Sequence, residues 1–376
     1  MIIYGALLIP IITIFVLYKF FSHKTVWWEF GIPLLASFIL CISSKAIIEV
    51  AQVTSKEYWG SFVERIEYYE EWNEWVTQTC TRSCCCDGKG ENCGTETYDC
   101  SYCRYHPPIW QIITTTGETV DINQYQYSRI KKILGSESFA ELNRSYYTID
   151  GDEYYCTWQR DSVRAIPVTT LHHYENRVKV ADQSVFHFEK VSDDDIKKYT
   201  LKDYPEIKNN YEMDAVIGDS SIDGAMGNKA FQYYNGLLGN KKQVKFFALI
   251  FENQPIEAGL YQEWYWSGGN MNEFVICIGI DKQRNVKWCK PISWTPSELL
   301  KTKVKDFVQQ QKKLNLAEVA NYVGKQSEKT FVRKDFKEFD YLTVDPPTWA
   351  VILTYLLTIA TNVGLSVWII NNEYEE

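Results

Sequence analysis

The sequence predicts an α+β protein in which three transmembrane helices anchor a β-rich, cysteine-containing region followed by an α/β layered domain. Three observations carry this expectation. Apolar stretches occupy residues 2–21, 31–48 and 349–370; ten of the 11 cysteines fall between the second stretch and the third; and from about residue 225 the pattern reads α-β-α-β-β-α-α. The expected organisation is a first span over 1–21, a short cytoplasmic link over 22–30, and a second span over 31–48. A β-rich region follows over 52–160, then a connecting region over 161–224 and the α/β domain over 225–332. The last span covers 349–370 and an acidic tail 371–376.

The first stretch, Ile2 to Phe21, has Lys19 as its only charge, near its far end where the long stem can snorkel. Twenty residues at about 1.5 Å per residue match a hydrocarbon core of roughly 30 Å. A signal peptide fits less well, because only Met1 precedes the apolar run and no small-x-small cleavage site follows. The second stretch ends in Ser43, Ser44 and Lys45, with Trp27 and Trp28 before it at the depth amphipathic rings prefer. The third has no charge in 22 residues, begins after Asp345-Pro346-Pro347, and carries Trp349 and Trp368 at its two ends. Lys19 and Lys24 favour a cytoplasmic link, which puts the N-terminus outside, the large domain outside and the C-terminus in the cytoplasm. Arg333, Lys334 and Lys337 oppose that orientation, but long domains translocate largely regardless of charge.

Cysteine distribution favours the same side. Cys41 lies inside the second span, while Cys80, Cys84, Cys85, Cys86, Cys93, Cys100, Cys103, Cys156, Cys277 and Cys289 all lie in the intervening region. An even number confined to one side suggests disulfides in an oxidising compartment. A hairpin centred on Gln283 sets Cys277 opposite Cys289, six residues either side, so either a cross-strand disulfide or two buried thiols is expected there. The run from Cys80 to Cys103 holds seven cysteines in 24 residues, with Gly and Asp between them and Cys156 as an eighth partner. Disulfides would staple such a loop. Zinc is the alternative, with Cys80, Cys84, Cys100, Cys103 and His106 as ligands, although the spacing matches no standard site.

Aromatic and charged residues alternate through Phe62 to Thr79, as in a long, partly exposed strand or ribbon. Tyr105 to Ile122 continues with β-branched residues after a proline pair. A helix is expected from Gln124 to Leu134, closed by Gly135. Tyr146, Tyr147, Tyr154, Tyr155 and Trp158 are candidates for a binding face or for core. Ser192 followed by three aspartates caps a helix. Beyond it come a helix ending at Gly239, a buried strand over Val244 to Phe251, and a helix after Pro255. The hairpin follows, then a helix opened by a Thr295-Pro296-Ser297-Glu298 capping box, and another from Leu316 to about Lys329.

The layout of residues 225–332, with one span after them, resembles the TPM domain, an extracytoplasmic α/β module. That resemblance implies a metal-dependent, phosphatase-type activity, but none of its calcium-contacting positions maps onto a residue here. The combination of EEWNEW, CSYCRYHPPIW and DPPTWAVILTYLLT also resembles a group of uncharacterised membrane proteins encoded by tailed phages.

Little in the sequence points to chemistry. Asp219 to Gly224 matches the opening of a calcium loop, yet its twelfth position is Ala230 rather than glutamate, so a polar turn is expected. Adjacent His172 and His173 would face opposite sides of a strand. Asn143-Arg144-Ser145 is a glycosylation sequon. No nucleophile elbow, H-E-x-x-H helix or P-loop occurs, so no catalytic or cofactor-binding residue is assigned. With 45% hydrophobic residues, 26 Tyr and 13 Trp the chain has ample material for a core, and a net charge of −9 disfavours a nucleic-acid surface. The expected role is a membrane-anchored structural or interaction protein with no cofactor. Its expected partners are the lipid bilayer and a protein or a second copy of the chain. A TPM-like enzyme using calcium, or a zinc-binding membrane protein, are the alternatives.

Overall fold

A computed structural model describes residues 2–20, 27–83, 95–134, 138–142, 153–157, 166–181 and 188–373. Cys84, Cys85, Cys86, Cys93, Tyr146, Tyr147, Trp158, Gly135 and the sequon lie outside the described residues, as do parts of the link and tail.

A 3-10 turn over Ile2–Leu7 leads into α1 (Leu8–Phe20), and α2 (Trp27–Val53) passes without a loop into β1 (Thr54–Tyr69). Next come β2 (Trp72–Val76), β3 (Thr79–Ser83), β4 (Thr95–Asp99), β5 (Tyr102–His106), β6 (Ile109–Thr114) and β7 (Thr119–Ile122). Then follow α3 (Gln124–Leu134), β8 (Ser138–Leu142), β9 (Glu153–Thr157) and β10 (Pro167–Glu175). The α/β portion contains α4 (Asp193–Lys198), β11 (Val216–Ile217), α5 (Ile222–Lys242), β12 (Lys245–Glu252), α6 (Glu257–Tyr265), β13 (Glu273–Ile280) and β14 (Val286–Ile292). It closes with α7 (Glu298–Gln310) and α8 (Leu316–Thr330), and α9 (Thr348–Glu373) ends the chain. These elements form two compact units. One holds Met1–Glu57, His173–Glu189 and Asp335–Glu376; the other holds Tyr58–His172 and Lys190–Lys334. The β-rich region and the α/β portion thus fall largely within one unit.

In the first unit, two helices among the described residues are long and apolar enough to cross a membrane, over Gly31–Val53 and Thr348–Ile369. The expected third crossing is corrected. Pro10 lacks an amide hydrogen and is best tolerated in the first turn of an α-helix, which here begins at Leu8. The apolar helical segment Ile3–Lys19 is shorter than the two candidate spans and opens in 3-10 rather than α geometry. This segment packs against both longer helices. Leu8, Ile12, Phe15, Ile47, Leu356 and Val363 face outward, whereas Ser37, Thr354, Thr358, Asn362 and Ser366 are buried. The hydroxyls of Thr354, Thr358 and Ser366 donate to carbonyls one turn back. Asn362 does more: its Nδ2 donates across to Ser37 Oγ at 2.8 Å. Substituting Asn362→Ala is expected to loosen the α2–α9 pair by about 1 kcal/mol. Thermal unfolding in detergent micelles checks this, and Ser37→Ala should add nothing to Asn362→Ala.

In the second unit, a six-stranded sheet runs β7-β6-β1-β9-β8, with β10 also pairing to β1. Phe62, Val63, Ile66, Ile112, Ile122 and Ile130 form its core. A four-stranded sheet runs β11-β12-β13-β14, parallel except for β14. Strands β12 and β13 are apolar almost throughout because both faces are covered. Phe246, Ala248, Ile250, Phe274, Ile276 and Ile278 pack under α5, α7 and α8. Phe247, Leu249, Phe251, Val275 and Cys277 pack under α6 and residues 199–213. The strands are added in one direction, yet α5 and α6 cover opposite faces, so one of these two crossovers runs against the usual right-handed sense. The expected Thr295 capping box does not form. Helix α7 begins at Glu298 after Ser297, and Thr295 is buried with its hydroxyl accepting from Ser297 N and Val332 N.

Candidate interaction surface

Strands β1 and β6 continue into a two-stranded antiparallel ribbon, β2 with β5 and then β3 with β4. At the junction Cys100 N donates to Gln78 O at 2.9 Å and Gln78 N donates to Ser101 Oγ at 3.1 Å. An isolated two-stranded ribbon is marginal in water, and a disulfide between Cys80 and Cys100, with Cα atoms 5.8 Å apart, clamps this one. On one face the Trp72 and His106 rings stack at 4.2 Å, and His106 Nε2 lies 2.9 Å from Glu74 Oε2. Arg104 sits 3.8 Å from the same carboxylate, and Arg82 pairs with Glu96 at 3.0 Å. Trp75 and Tyr105 stand exposed, at 66% and 57% of their full accessibility. Tyr105 OH donates to Glu71 Oε2 at 2.6 Å, a bond that raises the phenol's pKa. Ser101 donates to Asp99 through both N and Oγ and so lowers that carboxyl's pKa. The ribbon offers aromatic and anionic groups, and among the described residues none of its side chains belongs to a buried core cluster.

Of the expected cysteine candidates, Cys80 and Cys100 are bonded to each other, and Cys103 is exposed and unbonded opposite Trp75. Cys156 lies on β9 in register with Ile66 of β1. Of the described members of the zinc set, Cys80 and Cys100 are joined as the disulfide and His106 lies beside Glu74. The alignment expected for Cys277 and Cys289 is corrected. A register shift between Gly279 and Ile280 puts Cys289 opposite Ile278 and Cys277 opposite Lys290. The thiols consequently point into different cores, both buried and both unbonded. The calcium-like loop is a helix start. Ser221 caps α5, and the Arg284 guanidinium lies between Asp219 and Asp223, 2.8 Å from Asp219 Oδ2.

Three clusters had no sequence signal. His172 Nε2 lies 2.8 Å from Glu118 while its ring stacks on Trp59 at 4.3 Å; His173 is exposed. Between α3 and α5 a groove of about 730 Å³ has Tyr211 in its floor. Two pairs of its lining charges are matched, Arg129 with Glu212 at 3.0 Å and Lys208 with Asp214 at 2.6 Å. Lys245 and Glu273 form a buried pair at the start of β12 and β13. Among the described residues no three His, Cys, Asp or Glu side chains converge as a metal site would require.

Comparison with known proteins gives no further assignment: no family model, curated protein or solved structure matches the chain.

Proposed function

We propose that this chain is a membrane-anchored interaction protein that presents the stapled ribbon to a protein partner in an extracytoplasmic compartment. The observation that carries this reading is the exposure of Trp75 and Tyr105 on a ribbon that, among the described residues, buries no core of its own. Large rings held rigidly in water favour association, because covering them removes apolar area and loses few rotamers. The two apolar helices support the anchoring, and the Cys80–Cys100 bond supports an oxidising compartment. With these two helices flanking an extracytoplasmic domain, the C-terminus lies in the cytoplasm.

A photo-reactive amino acid at position 75 or 105 tests the reading in native membranes, with position 282, an exposed lysine elsewhere on the same unit, as control. A discrete adduct is expected from the ribbon positions only. It should disappear in the Cys80→Ser/Cys100→Ser variant, because opening a crosslink between residues 20 apart costs the ribbon about 3 kcal/mol. Identical adducts from all three positions, or none from the ribbon, would remove the proposal.

A further inference from the structure

The ribbon's chemistry narrows the kind of partner it fits, an argument that rests on the reading of the ribbon as a partner-binding surface. In the β2–β5 register Asn73 faces Tyr105 and Trp75 faces Cys103. Trp75 and Tyr105 are therefore diagonal neighbours on one face, with Cβ atoms about 7 Å apart. The Glu71 carboxylate joins them through its bond with Tyr105 OH. Among the described residues no cation neutralises it, since Arg82 is committed to Glu96 and Arg104 to Glu74. Glu70 and Asp99 likewise have no cationic partner among the described residues. Two exposed rings beside an uncompensated carboxylate are what an ammonium or guanidinium group seeks, because ring faces and carboxylate attract it together. The ribbon already makes such contacts internally, with Arg82 over the Tyr98 ring at 5.5 Å and Arg104 over the Tyr102 ring at 5.9 Å.

Spacing separates a chain from a single small cation. Asp99 pairs in register with Thr79, eight residues along the strand direction from Glu71. That is about 26 Å at the rise of an extended strand, too far for one small cation to serve both. Neither β2 nor β5 has a second hydrogen-bonded neighbour among the described residues, so each offers an open edge to an extended backbone. We infer that the ribbon binds a basic, extended protein segment, one Lys or Arg side chain of which enters between Trp75 and Tyr105 onto Glu71 while another reaches Asp99.

The test uses the full chain in detergent micelles and two labelled dodecapeptides, one alternating Lys with Thr and the other Glu with Thr, followed by fluorescence anisotropy. Binding of the Lys peptide alone is expected, weakening steeply as salt rises. Trp75→Ala and Glu71→Gln should each weaken it about tenfold. Glu257→Gln, an exposed carboxylate elsewhere, should leave it unchanged. Both ribbon substitutions fall on exposed side chains, and mapping the Cys80–Cys100 bond without reductant verifies that the ribbon is intact. Equal binding of the Glu peptide, or indifference to Trp75→Ala and Glu71→Gln, overturns the inference; ribbon crosslinks that persist then leave the broader reading standing. Loss of both peptide binding and ribbon crosslinks overturns the two together. Displacement of the peptide by phosphocholine, with binding to phosphatidylcholine vesicles, would assign the clamp to a lipid headgroup and also overturn the inference.

Discussion

Replacing Gly239 by alanine is expected to destabilise the larger unit by about 3 kcal/mol, and by valine to prevent its folding. Helix α5 crosses β1 where Gly239 meets Gly60. A Cβ on Gly239 would fall on the backbone N, C and O of Gly60, and one on Gly60 would fall on the backbone of Asn235. Backbone atoms cannot rotate aside, so the helix as a whole would have to lift. Lifting it pulls on two further contacts. Gly236 packs against the Phe62 ring, and buried Asn235 holds both peptide groups of Phe246, accepting from its N at 2.6 Å and donating to its carbonyl at 3.1 Å. The sign makes the prediction sharp. In an open helix Gly→Ala stabilises by about 1 kcal/mol, because glycine is the more flexible residue in the unfolded chain. Denaturant titration of the full chain, read by tryptophan fluorescence, distinguishes the two signs. A Gly239→Ala variant as stable as the parent would mean that the helix and strand do not approach this closely.

The same residue shows what the sequence could convey. A glycine late in an apolar helix reads as its end, and the expected boundary at Gly239 followed from that rule. The helix instead continues to Lys242, and Gln243 takes the left-handed cap at φ 50°, because Gly239 serves the crossing with β1. Local signals were legible where local chemistry decides. Helix α3 spans Gln124–Leu134, Ser192 completes a capping box, and α8 starts at Leu316 behind Asn315. Alternation of rings and charges foretold the ribbon. Its disulfide pairing was not legible, since seven clustered cysteines allow many connectivities. The hairpin cysteines were misaligned by a bulge that leaves the residue types unchanged but moves one thiol to the other face. Strand β11 has only two residues, too few for any periodicity to register. The pair of Lys245 and Glu273 was hidden for another reason: only the parallel register of two strands brings them side by side.

That pair yields the second large effect. Lys245 and Glu273 are each 1% exposed. Glu273 accepts from Tyr204 OH, from Asn270 Nδ2 at 2.6 Å and from Asn270 N at 2.9 Å, whereas Lys245 Nζ has Thr169 Oγ1 at 2.8 Å and the nearby charge of Glu273. Glu273→Leu strands three donors and is expected to cost about 3–5 kcal/mol; Lys245→Met loses one bond while removing a desolvated cation, and should cost about 1 kcal/mol. Their pH dependences have opposite signs. Burial pushes the Lys245 ammonium down to about 7, against roughly 10.4 in an unfolded chain. Between those values the unfolded chain holds a proton that the native state lacks, so stability rises with pH and the gain is lost as pH falls towards 7. Burial raises Glu273, so over its window the native state holds the extra proton and stability falls as pH rises. Subtracting the Lys245→Met stability curve from that of the parent should therefore leave a limb that climbs from about pH 7 to about pH 10, while the Glu273→Gln difference should descend on the acid side. A flat Lys245 difference would mean that the ammonium is hydrated in the folded protein. The two strand starts would then be open to water, and Glu273→Leu would lose its expected severity as well.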